Sequence, residues 1–202
     1  MATFRAEPFL WIHLAGIVVV PAALLLMACG LAVGTPFTPY GLELILLVAI
    51  AWLPMMAMQW FRPFEIFSVL ILAIRPGSLT TSQRQILTLF KQAKQRWVTL
   101  FSGFLSLALL WFVYLYSPLV YDLVDDLPPL RLLGLTIAAI AYLLVNLFLQ
   151  VPLSVLGVLF TPQSTYELSV PIDPDSIPQS FTVPGIKVRQ IPLIPTLEST
   201  SG

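Results

Sequence analysis

The chain has 202 residues, of which 58% are apolar and only 10% charged, with ten basic and ten acidic side chains. Soluble domains carry about 25% charged residues, so this composition excludes a water-soluble globular protein and requires a membrane. Zero formal net charge gives nucleic acid no bulk attraction, and one cysteine with one histidine rules out a disulfide framework or a CxxC site.

The first apolar stretch, Phe9–Val33, has roughly the 20 residues that cross about 30 Å of hydrocarbon. His13 lies about one turn inside it. Its imidazole either hydrogen-bonds near the interface or binds the central magnesium of a chlorophyll or a haem iron, cofactors the residues permit without requiring. Leu26-Met27-Ala28-Cys29-Gly30 loosely resembles a lipoprotein cleavage site, but Glu7 offsets Arg5, the leader's single cation, and Met27 fits such a site poorly. Retention as a first helix is the reading adopted, with Cys29 a small buried residue. The second stretch, Leu42–Phe61, has Glu43 at its outer end, where a carboxylate reaches water. Pro21 and Pro54 are expected to kink their helices.

Residues 62–96 hold Arg62, Arg75, Arg84, Lys91, Lys94 and Arg96 against Glu65 alone. Basic loops remain cytoplasmic, so this segment and both chain termini are expected inside. Trp11, Trp60 and Trp97 then fall at the inner membrane edge, and Tyr40, Tyr114, Tyr116 and Tyr121 at the outer one. Arg62-Pro63 ends the second span. Phe64–Ile74 is too short to cross, which suits a helix in the interface, a re-entrant segment or a bent continuation of the second helix. Thr80, Thr81 or Ser82 caps the next helix. That helix, Ser82–Arg96, is amphipathic: Ile86, Leu89, Phe90 and Ala93, with Trp97, form one face, and Arg84, Thr88, Lys91 and Gln95 the other. Arg75, Arg84, Lys91, Lys94 and Arg96, with Phe90 and Trp97, are therefore the candidate membrane-surface or partner-binding residues.

The third stretch, Trp97–Ser117, has a small face at Ser102, Gly103 and Ser106. The fourth, Leu132–Val151, carries Tyr142, Asn146 and Gln150 at successive i+4 positions, continued backwards by Ala138 and Gly134. Polar and small side chains at membrane depth usually join helices, so Tyr142, Asn146, Gln150, Ser102 and Ser106 are the candidate helix–helix interface. No ionisable residue sits near a span centre, where proton and ion pathways place them. From Thr161 the composition changes. Seven prolines, at 162, 171, 174, 178, 184, 192 and 195, are interleaved with polar and single apolar residues. This density is expected to exclude helix and central strand and to leave extended chain, although Phe181–Val188 suits a segment that lies along a partner or adds as an edge strand.

Three stretches carry a family resemblance: Arg5-Ala6-Glu7-Pro8-Phe9-Leu10-Trp11-Ile12-His13-Leu14-Ala15-Gly16, Met58-Gln59-Trp60-Phe61-Arg62-Pro63-Phe64-Glu65-Ile66-Phe67-Ser68, and Leu79-Thr80 with Gln83-Arg84 and Leu89-Phe90-Lys91. With the Pro-rich tail, they make the chain similar to the cyanobacterial low-complexity tail membrane proteins. The resemblance implies a thylakoid protein near the photosynthetic complexes and brings no activity with it.

The expected architecture is an all-α integral membrane protein: four transmembrane helices, a cytoplasmic amphipathic helix and a Pro-rich extended C-terminal tail, divided into a membrane domain (1–160) and the tail (161–202). The expected function is a non-catalytic accessory or assembly factor of a photosynthetic membrane complex, photosystem II in preference. Its partners would be the lipid bilayer and subunits of that complex. A small oligomeric transporter or channel is the alternative.

Overall fold

A computed structural model of the chain describes residues 4–39, 41–69, 72–183 and 185–191. Tyr40, Pro184, Pro192 and Pro195, together with residues 70 and 71 of the Phe64–Ile74 run, lie outside the described residues. The structure is mostly helical. Four helices are long and apolar enough to span a membrane: α1 (Pro8–Ala32), α2 (Leu42–Phe61), α4 (Ala93–Leu123) and α5 (Arg131–Leu159). Between α2 and α4 come strands β1 (Ser68–Val69) and β2 (Leu72–Ile74) and helix α3 (Thr81–Phe90). After α5 follow two short helices, α6 (Gln163–Glu167) and α7 (Ile177–Ser180), and strand β3 (Ile186–Val188).

Prolines in the spans change the local helix type. Pro21 has no N–H for the Ile17 carbonyl, and α1 tightens to a 3-10 turn at Gly16–Val18. Ahead of Pro54, α2 widens to a π segment, Val48–Trp52, in which the Leu53 N–H bonds the Val48 carbonyl. The fourth helix does not stop at Val151. It continues through Pro152 to Leu159, because its last turn is held by packing of Val155 and Val158 rather than by an unbroken ladder.

The chain forms two compact units. One unit comprises Gly16–Ala57 and Leu100–Gln150; the other comprises Met1–Ala15, Met58–Thr99 and Val151–Gly202. The first is a helix bundle cored by Met27, Leu47, Ala51, Leu110, Ala141 and Tyr142, with its outward side chains apolar, as at Val18, Ile45, Phe104 and Leu132. Its helices meet backbone to backbone: a Cβ on Gly30 would stand 2.6 Å from the Ala138 nitrogen and 2.7 Å from the Gly134 oxygen. Glu43, expected to reach water, is instead fully buried in this unit and ion-paired with Arg131.

The second unit surrounds a separate core of Phe9, Leu10, Phe67, Ile86, Leu87, Val155, Ile177 and Phe181. Here the described residues of 64–74 are not helical. Strands β1 and β2 pair antiparallel, and β2 pairs in parallel with β3, Leu72 opposite Ile186 and Ile74 opposite Val188. Ile66, Phe67, Ala73 and Ile74 are all buried, and a short apolar run buried on both faces has no period to separate strand from helix. The tail likewise departs from the extended chain expected of its prolines. Pro174 and Pro178 occupy first-turn positions of a 3-10 turn and of α7, where a missing N–H costs nothing.

Candidate partner-binding surface

The second unit contains nine of the ten Lys and Arg residues. Helix α3 starts on a capping box: the Gln83 N–H donates to the Thr80 hydroxyl at 3.2 Å, and the Thr80 N–H to the Gln83 amide oxygen at 3.1 Å. The helix ends at Phe90 rather than at Arg96, since Lys91 and Gln92 close it with turn hydrogen bonds. Lys94, Gln95 and Arg96 therefore stand on the first turn of α4, not on one amphipathic face with Arg84. Phe90 is 5% exposed and belongs to the core, whereas Trp97 is 73% exposed. Of the two candidate aromatics, only Trp97 is surface.

The basic residues act largely on main-chain carbonyls of the tail and of helix ends. Arg84 donates to the Ile172 carbonyl at 3.2 Å, Gln85 to Ser169 at 3.1 Å and Thr88 to Val170 at 2.7 Å. Arg75 reaches the Lys187 carbonyl at 3.3 Å, and Arg62 those of Pro178 and Phe181. Arg5 grips the Leu159 and Thr161 carbonyls at 2.9 and 2.8 Å, and Lys94 the Gly157 carbonyl at 3.1 Å. Lys91 lies over the Phe181 ring and Arg96 over Trp60, at 5.1 and 5.7 Å. A carbonyl fixes a cation in place but leaves its charge standing. The tail's own backbone joins through Glu65 N–H to Thr182 O and Thr182 N–H to Pro63 O, each 3.0 Å. Within the segment Phe181–Val188, expected to lie along a partner or an edge, Ile186–Val188 is an edge strand of this chain's own sheet and Thr182 bridges to Phe64.

Two acids of this unit, Glu7 and Glu65, are buried. Burial pushes the Glu65 carboxyl up to about 7, opposed only by a hydrogen bond from the Phe67 N–H, and raises Glu7 to about 6, opposed by Gln83 and the Phe9 backbone. Burial, then the like charges of Arg96 and Arg62, hold the Lys91 ammonium below the ordinary lysine range. Among the described residues the one ion pair is Glu43 with Arg131, in the other unit. Sequence reasoning passed over Arg5, Glu7 and Glu65. Glu65 was visible as the lone acid of an otherwise apolar run.

His13 Nδ1 is 2.9 Å from the Phe9 carbonyl. A carbonyl only accepts, so Nδ1 carries the proton and Nε2 keeps the lone pair a metal would need. No group of three or more metal-binding side chains occurs among the described residues. In the bundle, the Tyr142 hydroxyl donates to the Ser106 carbonyl at 3.2 Å, Asn146 to the Tyr142 carbonyl at 2.8 Å and Gln150 to the Asn146 side chain at 3.1 Å. Ser102 and Ser106 are fully buried. Gly103 faces Met56, and its carbonyl accepts from both Trp52 Nε1 at 2.9 Å and the Ser106 hydroxyl at 2.8 Å.

The model of one family, low-complexity tail membrane protein-like, matches residues 6–193. The chain belongs to that family. No curated protein and no solved structure matches the chain.

Proposed function

We propose that this protein is a non-catalytic accessory or assembly factor that docks onto a larger photosynthetic membrane complex, photosystem II in preference, from the thylakoid membrane. In this reading both termini, the basic residues and the tail lie on the cytoplasmic side, and the four spans dock laterally. The observation that carries it is the outer side of the tail. Leu168 and Val170 are 84% and 77% exposed, although the carbonyls on either side are fixed to α3. Two large aliphatic side chains held outward on an ordered segment suit a protein partner better than water. What supports the photosynthetic setting is the likeness of Arg5–Gly16 and Met58–Ser68 to cyanobacterial members of the family.

The test is affinity purification of a tagged copy from detergent-solubilised thylakoids, beside a Leu168→Asp/Val170→Asp variant. Chlorophyll-binding subunits should accompany the parent protein and be lost with the variant. Recovery free of them in both cases would sink the proposal. A second reading, a small oligomeric transporter or channel, is favoured by one observation: Gln150 Oε1 is buried without a partner. It requires solute flux in reconstituted vesicles that drops in Gln150→Leu.

A further inference from the structure

Where α2 ends and α4 begins, the second unit has a partly enclosed recess of about 70 Å³, lined by Gln59, Trp60, Lys91, Gln92, Gln95 and Arg96 among others. That is several times the ~10–15 Å³ that one water requires. Two of its walls are cations, and among the described residues neither is within salt-bridge distance of a carboxylate. Arg96 is set against the Trp60 ring, and Lys91 is tethered by the Phe61 carbonyl at 3.4 Å and the Phe181 ring. A third observation is independent of charge. Gln59 is 5% exposed, its Oε1 accepts from the Phe64 N–H at 3.3 Å, and its Nε2 is buried with no partner. A buried unmatched N–H donor is costly, and here it belongs to the lining of a cationic recess.

The depth of the recess in the bilayer follows from its neighbours. Trp60 and the outward Trp97 belong at the headgroup level, and Phe61, 71% exposed, stands beside them. We propose that this recess binds the phosphodiester of an anionic, hydroxyl-bearing glycerophospholipid. The phosphate oxygens take the Lys91, Arg96 and Gln59 donors. Gln95 donates through Nε2 to the Ser154 carbonyl at 3.3 Å and has a buried, unpartnered Oε1. That oxygen would repel a bare anion but accepts a headgroup hydroxyl. The site needs no protein partner, so it stands or falls separately from the docking reading.

The test uses the full-length protein in detergent, with phosphatidylglycerol, phosphatidylcholine or inorganic phosphate added, read by native mass spectrometry and thermal shift. Phosphatidylglycerol should be retained at least tenfold more strongly than phosphatidylcholine. Lys91→Gln/Arg96→Gln and, separately, Gln59→Leu should abolish that preference, while Arg189→Gln, which removes an exposed cation outside the recess, leaves it intact. Lipids that co-purify with the parent protein give a readout independent of any variant's folding, and phosphatidylglycerol must be among them. Equal retention of the two lipids, an unaltered preference in the Lys91/Arg96 variant, or a response to inorganic phosphate alone would each overturn the assignment.

Discussion

Removing Glu43 and Arg131 together should cost the bundle much less than the two single losses added. Arg131 is 6% exposed and Glu43 not at all. The guanidinium makes four hydrogen bonds: Nε to Glu43 Oε1 at 2.5 Å, one amino group to Glu43 Oε2, and the other to the Leu31 and Val33 carbonyls at 2.7 and 2.8 Å. Glu43→Ala deletes two of these and leaves a buried cation without a counter-charge, a loss of about 3–5 kcal/mol. Arg131→Met strands the carboxylate with only the Phe37 N–H at 2.9 Å, and a similar loss is expected. In the double variant no charge remains to desolvate. What is left is two carbonyls without donors and the half-buried Phe37 N–H without its acceptor, about 1–3 kcal/mol each at most. A double-mutant cycle, by unfolding in mixed micelles, should therefore show a coupling of several kcal/mol. The exchanged pair, Glu43→Arg/Arg131→Glu, should fail to recover stability, because a carboxylate at 131 would face the Leu31 and Val33 carbonyls. Losses that add within about 0.5 kcal/mol, or full rescue by the exchange, would refute the reasoning.

Three further outcomes are expected. The Glu65 carboxyl titrates at about 7 in the fold against 4.5 for an exposed glutamate, so the folded state binds the extra proton. Its contribution is complete below about pH 4.5 and lost as the pH rises through 7, by about 3 kcal/mol. Melting in detergent should thus fall from pH 5 to pH 8, with Glu65→Gln flattening the slope and gaining stability at pH 8; a rise with pH would contradict the assignment. Gly134→Ala puts a Cβ 2.5 Å from the Gly30 oxygen and should lower the melting temperature markedly, whereas Gly77→Ala meets nothing within 4 Å and should be neutral or stabilising by under about 1 kcal/mol; equal effects would discount the close helix crossing. Arg84→Met/Thr88→Val removes two bonds to the tail, about 1–3 kcal/mol together. Proteolysis between Glu167 and Asp173 should then accelerate about five- to 150-fold, and an unchanged rate would mean those bonds do not hold the tail.

The four spans were legible because length and hydropathy suffice for them, and a cap at Thr80, Thr81 or Ser82 because capping is local, with Thr80 the residue that serves. The polar row at Tyr142, Asn146 and Gln150 was readable as a face. Which groups it meets, such as the Ser106 carbonyl, is not encoded in spacing. Glu43 was misread for the same reason: its partner Arg131 is 88 residues away, outside any local pattern. The basic segment was recognised, but its role was seen from one side only. Cations were expected to face lipid headgroups or a partner, and most are occupied by carbonyls of residues 157–187. Because β2 is paired with β3, across more than a hundred residues, neither run looks like structure when read alone.

The side chains that hold the tail recognise its main chain rather than its side chains. Arg62, Arg75, Arg84, Gln85 and Thr88 all end on peptide oxygens, a group present at every residue whatever its identity. Only a few anchors, Ile177 and Phe181 foremost, enter the core. A segment held in this way can be rewritten at most of its positions and still follow the same path. Its composition can drift toward low complexity without its being released.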